Sequence, residues 1–484
     1  MNILLVAPPD ETQAMLGAGR ELIQNHEPLG LLYIAAVARN KGHDVSIIDA
    51  HTESLDLVQI QTRLLAARPD ILGFSVLTCN GTPAYELGRW AKANLPGALV
   101  VLGNIHASIY ARQYLAHGCC DAVVHGEGEE PFLALVEHRR DGRTFGDIPA
   151  ISFRDPQGRV VRTPPDRYLV EDLTRLPRPA RDLVDMRRYP SNPLSNQIFV
   201  GGPRKMSRPM FTSRGCRYSC VFCVVNQKPR FDSPARVVDE MEMLEKEFGA
   251  GHAAIMDPCC MEDQERMLAI CAEIRRRRLK IKWGCDTRAS HITSELVRAM
   301  AGANCFDLSF GMESGVQRLM DAVQKGLTIP QIIRAVAIVK GHSEIRLGGL
   351  FMLGLPGETH ADSLETIRFA KSLSLDMAQF SLCTPYPGSS LFETLRGQGR
   401  IDTGLRPDGG LDTSVWKRYS AYISFTGLDP IWVHPEQTPA QLKALQKRAQ
   451  REFHLRPSQI LRHASRLRPG NIGKALRILK DAFI

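Results

Sequence analysis

The chain has 484 residues, of which 44% are hydrophobic and 23% are charged, and its formal net charge is +9. A single hydrophobic core rarely grows to this size, so we expect roughly two or three globular domains. No apolar run approaches the roughly 18 residues that a membrane-spanning helix requires. The N-terminal segment lacks the basic start of a secretory signal, so the 12 cysteines are expected to be reduced thiols in the cytoplasm.

The positive charge is concentrated at the C-terminal end of the sequence. Residues 438–484 contain 11 Lys or Arg and two Asp or Glu, which accounts for the net charge of the whole chain. Three interpretations stay open: solvated helix faces, peripheral contact with an anionic membrane surface, and an acidic partner. Nucleic acid is not expected, because no interleaved aromatic residues or known binding module accompany the charge.

Residues 1–140 alternate short apolar runs with amphipathic segments. The apolar runs predict strands at 3–7, 45–49, 71–75, 99–102 and 122–124, and the segments between them predict helices at 29–40, 55–67, 83–93 and 107–117. This alternation is typical of a parallel, doubly wound, Rossmann-like sheet, in which ligands bind beyond the carboxyl ends of the strands. Neither G-x-G-x-x-G nor G-x4-G-K-[ST] occurs, so neither a dinucleotide site nor a P-loop is predicted.

Three short strings in this region carry a family resemblance. Pro-Leu-Gly-Leu-Leu-Tyr-Ile-Ala begins at Pro28, Gly-His-Asp-Val begins at Gly42, and Gly-Glu-Gly-Glu begins at Gly126. Their order and spacing resemble the cobalamin-binding domain that precedes many radical SAM domains. The resemblance implies that cobalamin is bound by residues at the strand ends, namely Pro8, Asp49, Thr78, Asn80, Gly103, His106, Gly126 and Glu127.

Two departures from the family pattern concern this region. The turn that is small-Gly-Pro-His in the family is Gly103-Asn104-Ile105-His106 here, and the D-x-H-x-x-G motif that supplies a cobalt-ligating histidine elsewhere is absent. His51 lies in a similar string, but it follows the second strand and the glycine is missing. We therefore interpret His51 as an ordinary surface or second-layer histidine. We expect no histidine ligand on the lower face of cobalt, and we expect a residue near 78–80 to approach that face instead.

The alternation stops between residues 141 and 200. Two short apolar runs, at 150–154 and 160–162, flank Asp155-Pro156-Gln157-Gly158 and predict a hairpin. Repeated prolines follow, at 164–165 and within 176–179, and indicate an extended connection. We therefore predict a linker over 141–200, between a first domain at 1–140 and a second that begins at 201.

Cys216, Cys220 and Cys223 have C-x3-C-x2-C spacing, with Phe222 directly before the third cysteine. Three thiolates on one loop suit an iron–sulfur cluster with one open iron, whereas a structural zinc site needs a fourth protein ligand. From the loop alone, a zinc knuckle completed elsewhere and three incidental buried cysteines remain alternatives. The spacing resembles the radical SAM signature, which implies a 4Fe–4S cluster whose open iron chelates S-adenosylmethionine (SAM).

Residues 201–395 return to strand–helix alternation, which favours the radical SAM assignment. Strands are predicted at 210–212, 253–256, 282–285, 306–310, 347–353 and 378–383, with helices between them. Six such units suggest the partial (β/α)6 barrel of radical SAM enzymes, with chemistry at the C-terminal ends of the strands. The predicted fold class is therefore α/β: a Rossmann-like cobalamin domain, a partial barrel and a helical region over 396–484. That last region has a capping box at Thr438 and predicted helices to 454, at 457–467 and at 472–483.

The resemblance also implies residues that hold SAM. Phe222 would pack over the cluster. Glu313, after the fourth barrel strand, would accept the ribose hydroxyls, with a helix-capping carboxylate as the alternative. Arg288 would bind the SAM carboxylate or form a structural ion pair. The adenine would be admitted by glycines of the fifth strand and its turn, namely Gly348, Gly349 and Gly354.

Three further side chains are predicted to contact substrate. Cys259 and Cys260 follow the second barrel strand, where they are either reactive or simply small residues lining the cavity. Tyr386 lies beside two prolines at the rim of the predicted barrel.

These features together imply a cobalamin-dependent radical SAM methyltransferase. A 5′-deoxyadenosyl radical would abstract hydrogen from an unactivated carbon, and methylcobalamin would supply the methyl group. The implied cofactors are the 4Fe–4S cluster, SAM and cobalamin, and the implied partners are a small-molecule or lipid substrate and an electron donor of the flavodoxin or ferredoxin type. A cobalamin-binding radical SAM cyclase or rearrangement enzyme, and a non-catalytic cobalamin or cluster sensor, are the alternatives.

Overall fold

The computed structural model describes residues 1–11, 15–16, 24–190, 206–225, 227–342 and 344–464, the side chains of 462–464 excepted. The predicted helix at 472–483 and the end of the one at 457–467 lie outside these residues. The α-helices are Leu29–Arg39, Leu57–Ala67, Gly81–Asn94, Ile105–Ile109, Ala111–Ala116, Glu129–Asp141, Pro234–Lys246, Gln264–Arg277, Ser294–Ala301, Gln317–Ala322, Ile329–His342, His360–Ser372, Ser390–Gly397, Pro439–His454 and Pro457–Ala464. Within the described residues, no helix is both long and apolar enough to cross a membrane.

The first sheet has seven strands in the order β2-β1-β3-β4-β5-β6-β7. The first five strands along the chain are parallel and the last two are antiparallel. Their bounds are β1 Asn2–Ala7, β2 Asp44–Asp49, β3 Ile71–Ser75, β4 Leu99–Gly103, β5 Ala122–Val124, β6 Ile151–Arg154 and β7 Val160–Arg162. The five parallel strands match the prediction closely. The predicted hairpin is present as β6 and β7, but it extends this sheet instead of standing in the linker.

Strand β1 shows why a parallel sheet forms here. Ile3 and Leu5 pack into one hydrophobic cluster, and Leu4 and Val6 pack into another on the opposite face. All four side chains are buried, so the strand is apolar on both faces and needs helices on both sides of the sheet. This is the doubly wound arrangement that the sequence predicted.

The second sheet has six parallel strands in the order β8-β11-β12-β13-β14-β15, which form a half-barrel. The bounds are β8 Met206–Met210, β11 Ala250–Ile255, β12 Lys282–Thr287, β13 Cys305–Glu313, β14 Arg346–Leu353 and β15 Met377–Leu382. A separate hairpin of β9 (Ser213–Cys216) and β10 (Gln227–Phe231) follows β8.

The predicted position of the first barrel strand, 210–212, was wrong. The strand ends at Met210, and its earlier part contains Arg208 and Pro209, which interrupt the apolar pattern. Arg208 is tolerated there because its fully buried guanidinium donates to Glu27 at 2.9 Å and to the carbonyl of Tyr189 at 3.2 Å.

A polar layer closes the N-terminal end of the barrel interior. The Nε2 of His252 lies 2.9 Å from Asp307 Oδ1, and its Nδ1 lies 2.9 Å from Ser207 Oγ. Gly284 leaves room for this layer, because a Cβ there would lie 2.1 Å from the Asp307 carboxylate. Access to the interior is therefore from the other end, where the strands have their carboxyl ends.

The C-terminal helix Pro439–His454 covers the edge of the barrel sheet. Its capping box, with Thr438 at the N-cap, forms as predicted. Gln446 Nε2 donates to the Phe380 carbonyl at 2.8 Å, and His454 Nε2 lies 2.9 Å from the Ala378 carbonyl. Both carbonyls belong to β15, the last strand of the sheet, so the helix satisfies backbone groups that an open edge would expose.

Candidate active site

The hairpin of β9 and β10 carries the three cysteines at the open end of the barrel. Cys216 ends β9, and the amide of Cys223 donates to the carbonyl of Cys220 at 3.0 Å in the following turn. Gly215 has φ of +84°, and a Cβ there would lie 2.4 Å from the carbonyl oxygen of Lys228 on β10. The hairpin therefore requires a glycine beside the first cysteine.

A buried carboxylate fixes the base of this hairpin. Asp257, directly after β11, accepts the amide of Thr212 at 2.7 Å and the hydroxyl of Ser213 at 2.7 Å. Farther along, the amide of Val221 donates to the Val323 carbonyl at 3.1 Å. The hairpin is thus held at its base and at Val221 in the middle of its loop. Phe222 packs with apolar residues beside the loop, and its packing over the iron–sulfur cluster stays a prediction.

The thiols of the loop fit an iron–sulfur cluster. Burial raises the pKa of Cys216 and of Cys223, and neighbouring thiols of the same loop raise both further. Iron binding must therefore displace thiol protons. No three His, Cys, Asp or Glu side chains in the described ranges converge on a single metal ion. A cluster does not require such convergence, because each cysteine binds a different iron.

A buried ion pair lies beside the cluster loop. Lys325 Nζ donates to Glu313 Oε1 at 2.7 Å. The charge of Lys325 lowers the pKa of Cys223, and the charge of Glu313 raises it. Gly311 leaves the space that the pair occupies, since a Cβ there would lie 2.7 Å from both charged atoms. A carboxylate at the end of β13 suits the predicted binding of ribose hydroxyls. The pairing of Lys325 with Glu313 was not predicted from the sequence. A lysine directly before Gly326 is the sequence feature that could have drawn attention to it.

Arg288 connects the cluster loop with the Lys325 turn. Its guanidinium carbon lies 3.6 Å above the ring centroid of Tyr218, and its Nη2 donates to the carbonyls of Lys325 and Gly326, the latter at 3.1 Å. Its Nη1 lies 4.0 Å from the Cys220 sulfur. Its Nε is buried without an acceptor among the described residues, so one donor remains for the predicted SAM carboxylate.

The three predicted adenine-site glycines occupy different surroundings. At Gly348 a Cβ would lie 3.0 Å from Ser309 Oγ, inside the barrel. At Gly349 it would meet Leu375 at 2.7 Å, and at Gly354 it would meet Leu442 at 2.9 Å. The latter two glycines therefore also serve close packing.

A cavity of about 600 Å³ lies between the two sheets. Residues of the first domain line one side, and the cluster hairpin with Met256 and Pro258 lines the other. At Gly30 and Gly103 nothing lies within 4 Å of an added Cβ, so both glycines keep the cavity open. The Nδ1 of His125, a lining residue, is buried without a partner among the described residues. A large ligand with polar side groups fits these walls.

The predicted cobalamin residues divide into two groups. Gly103, Gly126 and Glu127 line the cavity. The others are engaged elsewhere: Asn80 accepts the Leu77 amide at 2.8 Å, and Asp49 accepts the Tyr189 hydroxyl at 2.8 Å. Pro8 accepts from the side chain of Asn80 at 3.4 Å, and Thr78 Oγ1 lies 3.2 Å from His106 Nδ1.

His106 is not among the residues that line the cavity. Its ring is fully buried, 4.3 Å from the centroid of Trp416, and burial lowers its pKa to about 3. Leu77, in contrast, is a cavity-lining side chain that stays 41% exposed, and it immediately precedes the segment that was predicted to approach cobalt.

Glu127 also joins the two domains. Its carboxylate accepts two hydrogen bonds from Arg230, at 2.8 and 2.7 Å, and the Val170 amide at 2.7 Å. Arg214, on the cluster hairpin, donates to Glu129 at 2.6 Å and lies 3.3 Å from Glu127. The Gly-Glu-Gly-Glu string therefore holds the cluster hairpin against the first domain.

The predicted substrate residues lie at different depths. Cys259 Sγ lies 3.9 Å from Thr287 Oγ1, and burial raises its pKa to about 11. Cys260 is fully buried in the hydrophobic core, away from the barrel interior. Tyr386 accepts the Ala421 amide at 3.3 Å and packs at the edge of the core between the domains.

Two family models match the chain. The B12 binding domain matches residues 16–136, and the Radical SAM superfamily matches residues 210–370. The two matched ranges lie inside the predicted ranges 1–140 and 201–395. They confirm the cluster, SAM and cobalamin as the cofactors.

Similar proteins extend over most of the chain. An uncharacterized methyltransferase of Pyrococcus horikoshii is 32% identical over 467 residues, which is 96% of this chain and 94% of that protein. The anaerobic magnesium-protoporphyrin IX monomethyl ester cyclase of Rubrivivax gelatinosus is 31% identical over 405 residues, 82% of this chain and 70% of that protein.

A solved structure confirms the predicted fold class. The radical S-adenosylmethionine methyltransferase TsrM from Kitasatospora setae, bound to cobalamin and a [4Fe-4S] cluster, superposes with a TM-score of 0.68. The match covers 98% of this chain and 92% of TsrM at 17% identity, so it shows a shared fold. With its two domain matches and its methyltransferase relative, the chain belongs to the family of cobalamin-dependent radical SAM methyltransferases.

Proposed function

We propose that the protein transfers a methyl group to an unactivated carbon of a small molecule. The observation that carries this proposal is a cavity that residues of both domains line. Gly103 and Gly126 line it on one side, and Gly215, Val225 and Met256 line it on the other. A substrate in this space would meet the cofactor of each domain at once.

When bound, the cluster and SAM together would supply a carbon-centred radical, and cobalamin would supply a transferable methyl group. The chain's own residues position and shield these groups. Cys216, Cys220 and Cys223 would hold the cluster, and Glu313, fixed by Lys325, would accept the ribose hydroxyls of SAM. Apolar side chains at the cavity wall, such as Met256, limit the amount of water around the reacting groups.

Transfer of a labelled methyl group tests the proposal. Reduced holoenzyme is incubated with trideuteromethyl-SAM and a metabolite extract of the source organism, and products are compared by mass spectrometry. We expect one metabolite to gain a trideuteromethyl group. A Cys223→Ala variant, which lacks one cluster ligand, should yield no labelled product. Consumption of SAM without any labelled metabolite would contradict methyl transfer.

A second candidate is a cyclase that makes a carbon–carbon or ring bond without methyl transfer. It is favoured by the Rubrivivax gelatinosus relative, which is named a cyclase and is 31% identical. Such an enzyme would form 5′-deoxyadenosine and an unlabelled product. The non-catalytic sensor is not supported, because the similar proteins are named as enzymes.

The predicted electron donor and membrane contact stay predictions. The last described helix, Pro457–Ala464, exposes Ile460 and Leu461, and residues 465–484 lie outside the described part. Sedimentation with anionic phosphatidylglycerol vesicles checks the membrane contact. Binding that persists in a chain ending at residue 464 would contradict a role for the basic tail.

A further inference from the structure

Asp286 points into the interior of the barrel. It lies on β12, where Trp283 and Cys285 belong to the hydrophobic core between strands and helices. Because side chains alternate along a strand, Asp286 faces the other side, toward the interior. The residue is exposed, although β12 is a central strand with neighbours on both sides. Its accessible surface therefore faces the space inside the barrel.

The strand register places this carboxylate beside the cavity. Ile255 pairs with Cys285, so Met256, the next residue, stands beside Asp286. Met256 lines the cavity between the domains and is 44% exposed. On the other side, Asp286 pairs with Ser309, whose hydroxyl donates to the carboxylate. Asp286 thus lies where the barrel interior meets the cavity.

The carboxylate has no cationic partner among the described residues. Burial raises its pKa to about 6, the Ser309 hydrogen bond opposes that shift, and the nearby charge of Asp307 adds to it. Four other carboxylates around this end of the barrel are paired with Arg or Lys, namely Glu127, Glu129, Glu262 and Glu313. Asp257 instead accepts hydrogen bonds from the Thr212 amide and the Ser213 hydroxyl, whereas Ser309 is the one hydrogen-bond donor to the Asp286 carboxylate within the described residues. A carboxylate inside the barrel that lies next to another acid is stabilised by a cation.

We propose that Asp286 binds a protonated amine of the substrate and thereby orients the carbon that receives the methyl group. This assignment rests on the proposed function, because it takes the cavity between the domains, at the mouth of the barrel, as the substrate site. A hydroxyl group would satisfy one lone pair of the carboxylate but would leave its charge uncompensated. An ammonium group provides both the hydrogen bond and the opposite charge.

A pair of probes of nearly equal shape tests this without turnover. Binding of 2-phenylethylammonium and of 2-phenylethanol to holoenzyme loaded with cluster, cobalamin and SAM is measured by saturation-transfer NMR at pH 7.5. We expect the ammonium to bind about tenfold more tightly than the alcohol. In Asp286→Asn this preference should fall to about twofold or less. Asp321→Asn, a carboxylate-to-amide change at an exposed helix position, should keep the full preference.

The pH dependence of the wild-type protein gives a second measurement that needs no variant. The ammonium stays protonated throughout, whereas Asp286 loses its charge as the pH falls through about 6. The preference for the ammonium should therefore disappear toward pH 5. Equal binding of both probes at pH 7.5, a preference retained in Asp286→Asn, or one unchanged at pH 5 would overturn the assignment. Failure of methyl transfer itself appears separately, as absence of labelled product from the wild-type enzyme.

Discussion

Replacing Lys325 with methionine removes one charge from a buried pair and keeps most of the side-chain volume. Lys325 and Glu313 are 2.7 Å apart, and their side chains are only 8% and 9% exposed. The variant leaves the Glu313 carboxylate buried without its cation. We therefore expect Lys325→Met to lower both the stability of the barrel and its affinity for SAM.

The magnitude follows from the burial of the pair. Removing one partner of a buried ion pair typically costs about 3–5 kcal/mol, and the remaining exposure suggests the lower end, about 3 kcal/mol. The matched control is Lys371→Met, because Lys371 pairs with Glu452 at 2.6 Å but the side chains are 35% and 28% exposed. An exposed pair of this kind contributes less than about 1 kcal/mol.

Urea unfolding and equilibrium dialysis with SAM measure the two effects. We expect Lys325→Met to lose about 3 kcal/mol and Lys371→Met less than about 1 kcal/mol, with SAM affinity reduced at least about tenfold only in the former. Adding Glu313→Gln to Lys325→Met should recover part of the stability, because the unpaired charge is gone. Equal losses of stability in both lysine variants, together with wild-type affinity for SAM, would contradict a role of the Lys325–Glu313 pair.

Three further predictions concern the loop, the cavity and the domain contact. Gly215→Ala should abolish cluster assembly, measured as bound iron, because its Cβ would lie 2.4 Å from the Lys228 carbonyl; a normal iron content would contradict this. Gly103→Leu should reduce bound cobalamin, read from its absorbance, while the iron content is kept, because the side chain enters the open cavity. Burial raises the pKa of Glu127, but hydrogen bonds from Arg230 and the Val170 amide and the charge of Arg214 lower it overall. The stability it contributes should therefore be lost as the pH falls below about 4.5, and Glu127→Gln should remove this part of the pH dependence of unfolding.

The placement of three cysteines on one loop at the open end of the barrel was predictable from the sequence. Cys216, Cys220 and Cys223 are close in the chain, so their spacing largely determines that they lie on one loop, and their binding of one cluster stays a prediction. The parallel strands of the first sheet were predictable for a similar reason, because runs such as 3–7 are apolar at every position. Features that depend on residues close in sequence, such as cysteine spacing and apolar runs, were therefore predictable.

Features that depend on distant partners were not predictable. Arg208 prevented the prediction of β8 from the sequence, because a charged residue interrupts the apolar pattern of a strand. It can be buried in this strand only because Glu27, far away in the chain, pairs with it. Lys325 lies 12 residues after Glu313, and only the fold brings the two together. Gln446 and His454 are spaced like a solvated helix face, yet both bind carbonyls of β15.

His106 and Asp286 show the same limit within the site. The family resemblance implied that His106 contacts cobalamin. In the structure its ring packs against Trp416, which lies more than 300 residues later in the chain. Asp286 was visible at the end of a predicted strand, but its direction into the barrel depends on the register with Ile255 and Ser309 on other strands.

The ratio of the two SAM products most directly tests the central claim that this site methylates carbon. Reduced holoenzyme is supplied with SAM and with the metabolite identified by labelling, and both products are quantified against methylated metabolite by mass spectrometry. We expect one 5′-deoxyadenosine and one S-adenosylhomocysteine for each methyl group transferred. Formation of 5′-deoxyadenosine and a metabolite-derived product, without S-adenosylhomocysteine and without added methyl, would contradict it.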